Sequence, residues 1–278
     1  MKVVRTFFSR VSWAIWSFWI VLSLALWLST LFYSPTSNFS FTFIETLLRP
    51  ELSDASLPPL QAPSLIHFCG TDELGRDVLS RLLFGTFYSL SFGIIVGLLT
   101  CCLGFFLGLV LTFLPFWVQR GATYFVEIFS SLPLLPLALV GLTFYPGQVA
   151  IVGFLKIALG WGNIAQFTRL EAATLFQSPR LSAARSQGLS SARIAWKHLL
   201  PPLLPGLAPF FPQIVFSSVL SLATLDFFGL GFPIPTPTLA EMFRQYAENP
   251  EAWWLLVFPL LIITGLLLGF QDLERKVN

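Results

Sequence analysis

The sequence predicts an all-α integral membrane protein of about six transmembrane helices. Three observations predict it. Of the 278 residues, 55% are hydrophobic and only 11% are charged, whereas a soluble domain carries roughly 25% charged residues. Apolar runs long enough to cross the hydrocarbon core, roughly 20 residues each, recur along the chain. The 30 Phe and 9 Trp suit spans with aromatic anchors at the interfaces. A net charge of +2, with no stripe of basic residues, gives no footprint for nucleic acid.

The first run, Trp13–Tyr33, follows Lys2, Arg5 and Arg10. It is longer than a signal-peptide core and no small-x-small cleavage site follows, so it reads as a retained helix. Ser34 to Ser64 is rich in Pro and Ser and reads as loop. The stretch from His67 is polar and leads into the second span. Val78, Leu79, Leu82 and Leu83 form one apolar face, as in a helix lying at the outer interface. Asp77 and Arg81, four apart, could pair on that helix.

The second span is predicted at Thr86–Leu114, the third at Thr123–Tyr145 and the fourth at Gly147–Phe167, the last two separated by a turn at Tyr145-Pro146-Gly147. A non-membrane stretch runs from Thr168 to Pro202. Spans at Leu203–Phe228 and Ala252–Phe270 complete the set. Pro133 and Pro136 in one span, and Pro205, Pro209 and Pro212 in another, predict kinks, because each removes a helix hydrogen bond. The chain therefore divides at about residue 85. Residues 1–85 hold the first helix, an external loop and the interfacial helix; residues 86–278 form the main transmembrane domain.

Loop charge sets the orientation. With the N-terminus in the cytoplasm, the inside segments hold Lys2, Arg5, Arg10, Arg120, Arg169, Arg180, Arg185, Arg193, Lys197, Arg275 and Lys276, eleven of the 16 basic residues. The outside loops hold Arg49, Arg76, Arg81 and Arg244. Both termini are expected to be cytoplasmic.

Groups for chemistry are sparse. Cys69, Cys101 and Cys102 show no metal-ligand spacing and read as small apolar packing residues. His67 and His198 fall in no HExxH-like frame, so no metal site is expected. Lys156 lies inside the fourth span, where a charge is costly and often functional. It could line a pathway, snorkel outward or meet a partner subunit. Glu127 and Asp226 sit near span ends and read as interfacial. A membrane-embedded enzyme would need converging nucleophile, base or metal groups at membrane depth, and no His lies in a span. A non-transporting sensor or assembly protein is the other rival reading.

The internal stretch reads LSAARSQGLSSARIAWKHLLPPLLP from Leu181. Ser182–Gln187 can form a short helix, Gly188 a C′ turn, and Ser190 or Ser191 the cap of a second short helix running to about Leu199. Pro201 and Pro202 would end it and start the next span. On pattern alone this suits a solvated amphipathic connector. It also resembles the cytoplasmic coupling motif of binding-protein-dependent ABC importers: Glu-Ala-Ala, three residues, Gly, nine residues, an apolar residue, Leu-Pro. Ala183, Ala184, Gly188, Leu200 and Pro201 supply the motif's residue types, with ten residues rather than nine between Gly188 and Leu199, and Ser182 stands where the motif has Glu. The string Glu171-Ala172-Ala173 lacks the following Gly and is not the motif.

The external string carries a second resemblance. Gly70-Thr71-Asp72, Gly75-Arg76-Asp77 and Ser80-Arg81 are similar, almost residue for residue, to a signature of the C-type permease subunit of dipeptide, oligopeptide and nickel ABC importers. Val126-Glu127-Ile128 before Leu132-Pro133, Phe227-Phe228-Gly229-Leu230-Gly231 before Pro233 and Pro235-Thr236-Pro237, and Trp253-Trp254 with Phe258-Pro259 agree. The resemblance covers roughly residues 66–270. It implies a type I ABC importer permease fold with a cytoplasmic coupling helix in segment 168–202. It implies a second permease subunit, two ATPase subunits, an external or periplasmic solute-binding protein, and a place in a bacterial inner membrane. No GxxxxGK[ST] sequence occurs, so ATP would be used by the partners, and no cofactor is expected on this chain. The ligand, whether dipeptide, longer peptide, glutathione-like compound or nickel chelate, is not written in the sequence.

Overall fold

The computed structural model describes residues 58–65, 67–179, 189–233 and 236–277. The predicted first span, Trp13–Tyr33, lies outside the described residues, as do Ser182, Ala183, Ala184, Gly188 and Pro235. Among the described residues all regular structure is helical, apart from one isolated antiparallel bridge between Thr71 and Asp77.

Helix α1 runs from Val78 to Thr112 without a break. The predicted interfacial helix and second span are therefore one element of 35 residues, about 52 Å at 1.5 Å per residue. Val78, Leu82 and Leu83 are buried in protein. The predicted third span is two helices, α2 (Phe116–Ser130) and α3 (Leu134–Phe144), bent by 69°. Pro133 lies in the break: it offers no N–H and disfavours helical backbone at Leu132. Pro136 falls in the first turn of α3, where its missing N–H has no intrahelical acceptor to lose. Helix α4 spans Val149–Phe176.

The predicted fifth span is also divided. A short helix α5 (Ser191–Ile194) passes into a π-helical turn, Ala195–Leu199, and then into α6 (Leu200–Leu207). Pro201 and Pro202 occupy the first turn of α6 rather than ending the preceding helix. Pro209 lies in the gap before α7 (Phe210–Phe227). Helix α8 (Leu239–Glu248) is short and polar on one face, and α9 (Trp254–Val277) ends the chain.

The chain forms two compact units. One gathers described residues up to Phe92, then Leu142–Val149 and Val219–Asp272. The other gathers Gly93–Gly141, Ala150–Ser218 and the chain from Leu273.

Within the second unit, α1 and α4 approach closely at glycines. A Cβ on Gly104 would strike the Trp161 carbonyl and Ile164; one on Gly108 would strike the Ala165 carbonyl and Thr168. This Gly-xxx-Gly pair lets two backbones meet where lipid supplies no hydrophobic drive. The paired positions rise together along both helices, so α1 and α4 are parallel. Lys156 meets Ser217, and Phe167 meets Phe210 with ring centroids 5.0 Å apart. Here the numbers run oppositely, so α4 and α7 are antiparallel.

Four helices are long and apolar enough to cross a membrane, or five if α2 and α3 make one bent span. Parallel α1 and α4 require one crossing between them. The bent pair is therefore one span, and the described residues hold five of the six predicted crossings.

Candidate functional site

The signature from Gly70 to Arg81 folds into a knot of buried charge. Gly70 and Gly75 have φ of +77° and +73°, a backbone that side chains rarely adopt. These two turns bring Asp72 back onto the chain that follows it. Asp72 Oδ1 accepts from the backbone N–H of Leu74 at 2.9 Å and of Arg76 at 2.8 Å, and its Oδ2 accepts from Arg76 Nε at 2.6 Å. Thr71 Oγ1 accepts from the Gln61 N–H at 2.8 Å, and the Thr71 carbonyl accepts from Trp254 Nε1 at 3.0 Å. A Cβ on Gly70 would meet that indole nitrogen at 2.9 Å.

Asp77 caps α1. Its Oδ2 accepts from the Ser80 N–H at 2.9 Å, and its Oδ1 lies 3.0 Å from His67 Nδ1. The predicted Asp77–Arg81 pair does not form, because both carboxylate oxygens are already engaged. Arg81 turns instead to Glu241, with which it makes a short ion pair, and stands 3.5 Å from Asp72 through Nε. Its Nε and Nη1 make no hydrogen bond in their fully buried position. Arg76 Nη2 also reaches Glu241, at 3.2 Å. Two guanidiniums and two carboxylates thus form a neutral quartet, which is how burial of charge becomes tolerable.

Glu241 comes from α8, whose first turn is capped by Thr238 Oγ1 at 3.3 Å from the Glu241 N–H. Thr238-Leu-Ala-Glu241 is a capping-box sequence, but Glu241 reaches to the arginines rather than back to the cap. Buried Gln245 accepts from the Glu73 N–H at 3.4 Å. Burial raises the Glu73 carboxyl above its ordinary pKa against the opposing pull of Arg244. Burial, reinforced by the Asp77 charge, pushes the Cys69 thiol up to about 12.

All eight signature residues, Gly70, Thr71, Asp72, Gly75, Arg76, Asp77, Ser80 and Arg81, fall in this one cluster. Sequence reasoning missed Glu241, Gln245, His67 and the Trp254 indole as its partners. The capping box at Thr238 was the available signal for Glu241: it marks a helix start next to an acidic residue.

The described end of the segment predicted as the coupling motif, from Leu189 on, is anchored in apolar core. Ser190 caps α5, with its carbonyl accepting from the Ile194 N–H at 3.0 Å. The Leu200 N–H bonds to the Ala195 carbonyl, closing the π turn. Leu199 and Leu203 are buried with Ile194 and with Ala172 of α4, and Phe105 and Leu109 of α1, with Phe113 just beyond its end, pack against them. Ala172 belongs to the rejected Glu171-Ala172-Ala173 string, and it is a packing residue. Leu200 and Pro201 therefore open α6 directly beside this anchor. Trp196 and Lys197 point outward.

Lys156 is half-buried, and its Nζ donates to Ser217 Oγ at 3.1 Å. Asp226 ends α7 and is buried, with Oδ1 accepting from the Phe232 N–H at 2.9 Å; Glu127 is exposed.

Comparison with known proteins gives the following. Residues 101–276 match the family described as binding-protein-dependent transport system inner membrane component. The inner membrane ABC transporter permease protein YejE of Escherichia coli is 30% identical over 205 residues, 74% of this chain. The chain spans 60% of that relative's length. The dipeptide transport system permease protein DppC of Alkalihalophilus pseudofirmus is 31% identical over 76% of this chain and 70% of its own length. A solved chain of the inward-facing MetNI methionine ABC transporter superposes with a TM-score of 0.54 at 21% identity, covering 72% of this chain and 97% of that one.

Proposed function

The chain belongs to the binding-protein-dependent transport system inner membrane component family, and from that premise we propose that it is the C-type permease subunit of an ATP-driven importer for peptides or a related small solute. The observation that carries the mechanism is the apolar anchor beneath the coupling segment. Ile194, Leu199 and Leu203 pack with α1 and α4, so a push on Ser182–Leu199 is delivered to two spans as a rigid-body movement. Tightly packed interiors move in discrete steps rather than deforming smoothly.

In this reading the chain pairs with a second permease, two ATPase subunits and an external solute-binding protein. Ser182, Ala183, Ala184 and Gly188 dock on one ATPase, with Leu200 and Pro201 fixing the far end. ATP is hydrolysed in the partners, and this chain binds no cofactor. ATP drives the switch because it binds two states of the assembly with different affinity. Lys156 lines the pathway formed with the second permease. The chain lies in a bacterial inner membrane with both termini cytoplasmic. The named dipeptide relative supports a peptide-type solute.

Replacing Gly188 with Val, in the chain co-expressed with its ATPase and permease partners, tests the docking assignment. The expected result is loss of the ATPase subunit from the purified complex and loss of solute-stimulated hydrolysis. Unchanged co-purification and unchanged stimulation reject the assignment.

A further inference from the structure

Lys156 sits seven residues into α4, about 10 Å from its start. An ammonium there would ordinarily bend toward the nearer interface. It is instead held sideways on the adjacent antiparallel helix, where Ser217 Oγ accepts one of its three protons at 3.1 Å. The Ser217 hydroxyl donates its own proton to the Ile214 carbonyl at 3.0 Å. Its lone pair is therefore what the ammonium uses. Two N–H donors of Lys156 are left, and among the described residues no carboxylate pairs with it.

The surroundings indicate what faces this ammonium. Asn163 lies two turns further along α4 on the same face, and Gln213 lies one turn from Ser217 on α7; both are exposed. Because α4 and α7 are antiparallel, these two side chains continue from the Lys156–Ser217 pair in the same direction along the helices. Exposed amides at membrane depth are disfavoured against lipid and suit a wet or protein-lined path. A polar stripe headed by one cation thus runs along apolar helices.

Resting on the permease reading, we propose that Lys156 is a binding residue for a carboxylate of the transported solute, and that Ser217 is the positioning residue that holds its ammonium toward the path. The solute class is an anion or zwitterion with a free carboxylate, such as a peptide with an unblocked C-terminus.

The test uses the importer assembled from this chain and its partner subunits in proteoliposomes. It is supplied with a mixture of di- and tripeptides and the same peptides carrying C-terminal amides, and ATP-dependent uptake of each is counted by mass spectrometry. The binding protein is identical throughout, so its own preference cancels when variants are compared. The Lys156→Met chain should lose at least tenfold in the ratio of acid to amide uptake, and Lys156→Arg should keep the ratio. Ser217→Ala should raise KM for the acids with little change in kcat, and Ser217→Thr should restore it. An unchanged ratio in Lys156→Met overturns the proposal, as does an equal loss of both peptide forms. Failure of the Lys156→Met chain to co-purify with the second permease also overturns it, because Lys156 would then serve a carboxylate of that subunit. Uptake of neither peptide form by the unmodified importer rejects the carboxylate proposal. ATP-dependent uptake of some other solute would leave the permease reading standing, and no ATP-dependent uptake of any solute would sink both.

Discussion

Glu241 is the side chain on which the buried charge cluster depends. Like Asp72 it meets both Arg76 and Arg81, and it is the carboxylate that α8 brings to them. Replacing it with Gln keeps the shape and removes the charge, leaving two buried guanidiniums opposite Asp72. Breaking a buried pair by removing one partner costs about 3–5 kcal/mol, so Glu241→Gln should lower the detergent-solubilised protein's unfolding temperature clearly. Arg244→Ala, which removes only half-exposed pairs with Glu73 and Glu248, should cost less than about 1 kcal/mol. Equal shifts for the two variants would contradict the quartet. Cys69 gives a pH test. Its thiol is pushed up to about 12, and only the thiolate reacts. At pH 7.5 the thiolate fraction is roughly a thousandfold below that of an ordinary thiol of pKa ~8.5. Iodoacetamide should therefore label Cys69 very slowly at neutral pH, with a rate still rising about tenfold per pH unit between 9 and 11, where an ordinary thiol has levelled off. Mass mapping of the labelled peptide measures it. The string of eight signature residues was legible because it is local. Its partners were not: Glu241 lies 165 positions from Arg76, and nothing in a local pattern reports contacts at that separation. The misassigned Asp77–Arg81 pair has the same origin. Helical spacing permits it, but capping of Ser80 and the contact with His67 claim the carboxylate first.

Among the helices, the coupling anchor makes the sharpest demand. Leu199 is fully buried between α1 and α4. Leu199→Ala removes that contact and should destabilise the protein by about 2–5 kcal/mol. In the assembled importer it should also lower solute moved per ATP consumed, because hydrolysis continues while the push is absorbed by the cavity. Lower stability with unchanged transport per ATP would show that the anchor is only packing. The spans themselves were largely legible from apolar runs. Their interruptions were legible in part. Pro133 marks the bend between α2 and α3, and Pro209 the gap before α7. The π turn at Ala195–Leu199 was not foreseen, since its hydrogen-bond pattern has no composition of its own. The unbroken passage of α1 from Val78 into the span was also hidden, because its first two turns mix buried arginine and serine with apolar residues and so resemble a separate interfacial helix.

For the whole molecule, the direction of each helix fixes how many times the chain crosses. Parallel α1 and α4, with antiparallel α7, make the bent α2–α3 pair a single crossing. Helix α9 then returns to the side where α4 ends, and the basic residues there, Arg275 and Lys276, favour the cytoplasm. A green fluorescent protein fused after Asn278 should fluoresce in intact cells, and an alkaline phosphatase fused there should be inactive. The reverse pattern would invert the proposed topology. Six spans followed from composition and loop charge. The direction of neighbouring helices, which makes five crossings of the described residues, needed the glycine contacts between them.

The quartet at the N-terminal end of α1 also sets a timetable for biogenesis. Arg76 and Arg81 leave the ribosome early, and Glu241 leaves 165 positions after Arg76. Until α8 is made, these two arginines have only Asp72 among the quartet's carboxylates, and the Thr71 carbonyl has no indole from Trp254 to bind. A chain cut short anywhere before residue 241 therefore lacks the carboxylate on α8 that Arg76 and Arg81 share. The quartet thus closes only after α8, Leu239–Glu248, has been made, so the segment written early in the chain waits for one written late.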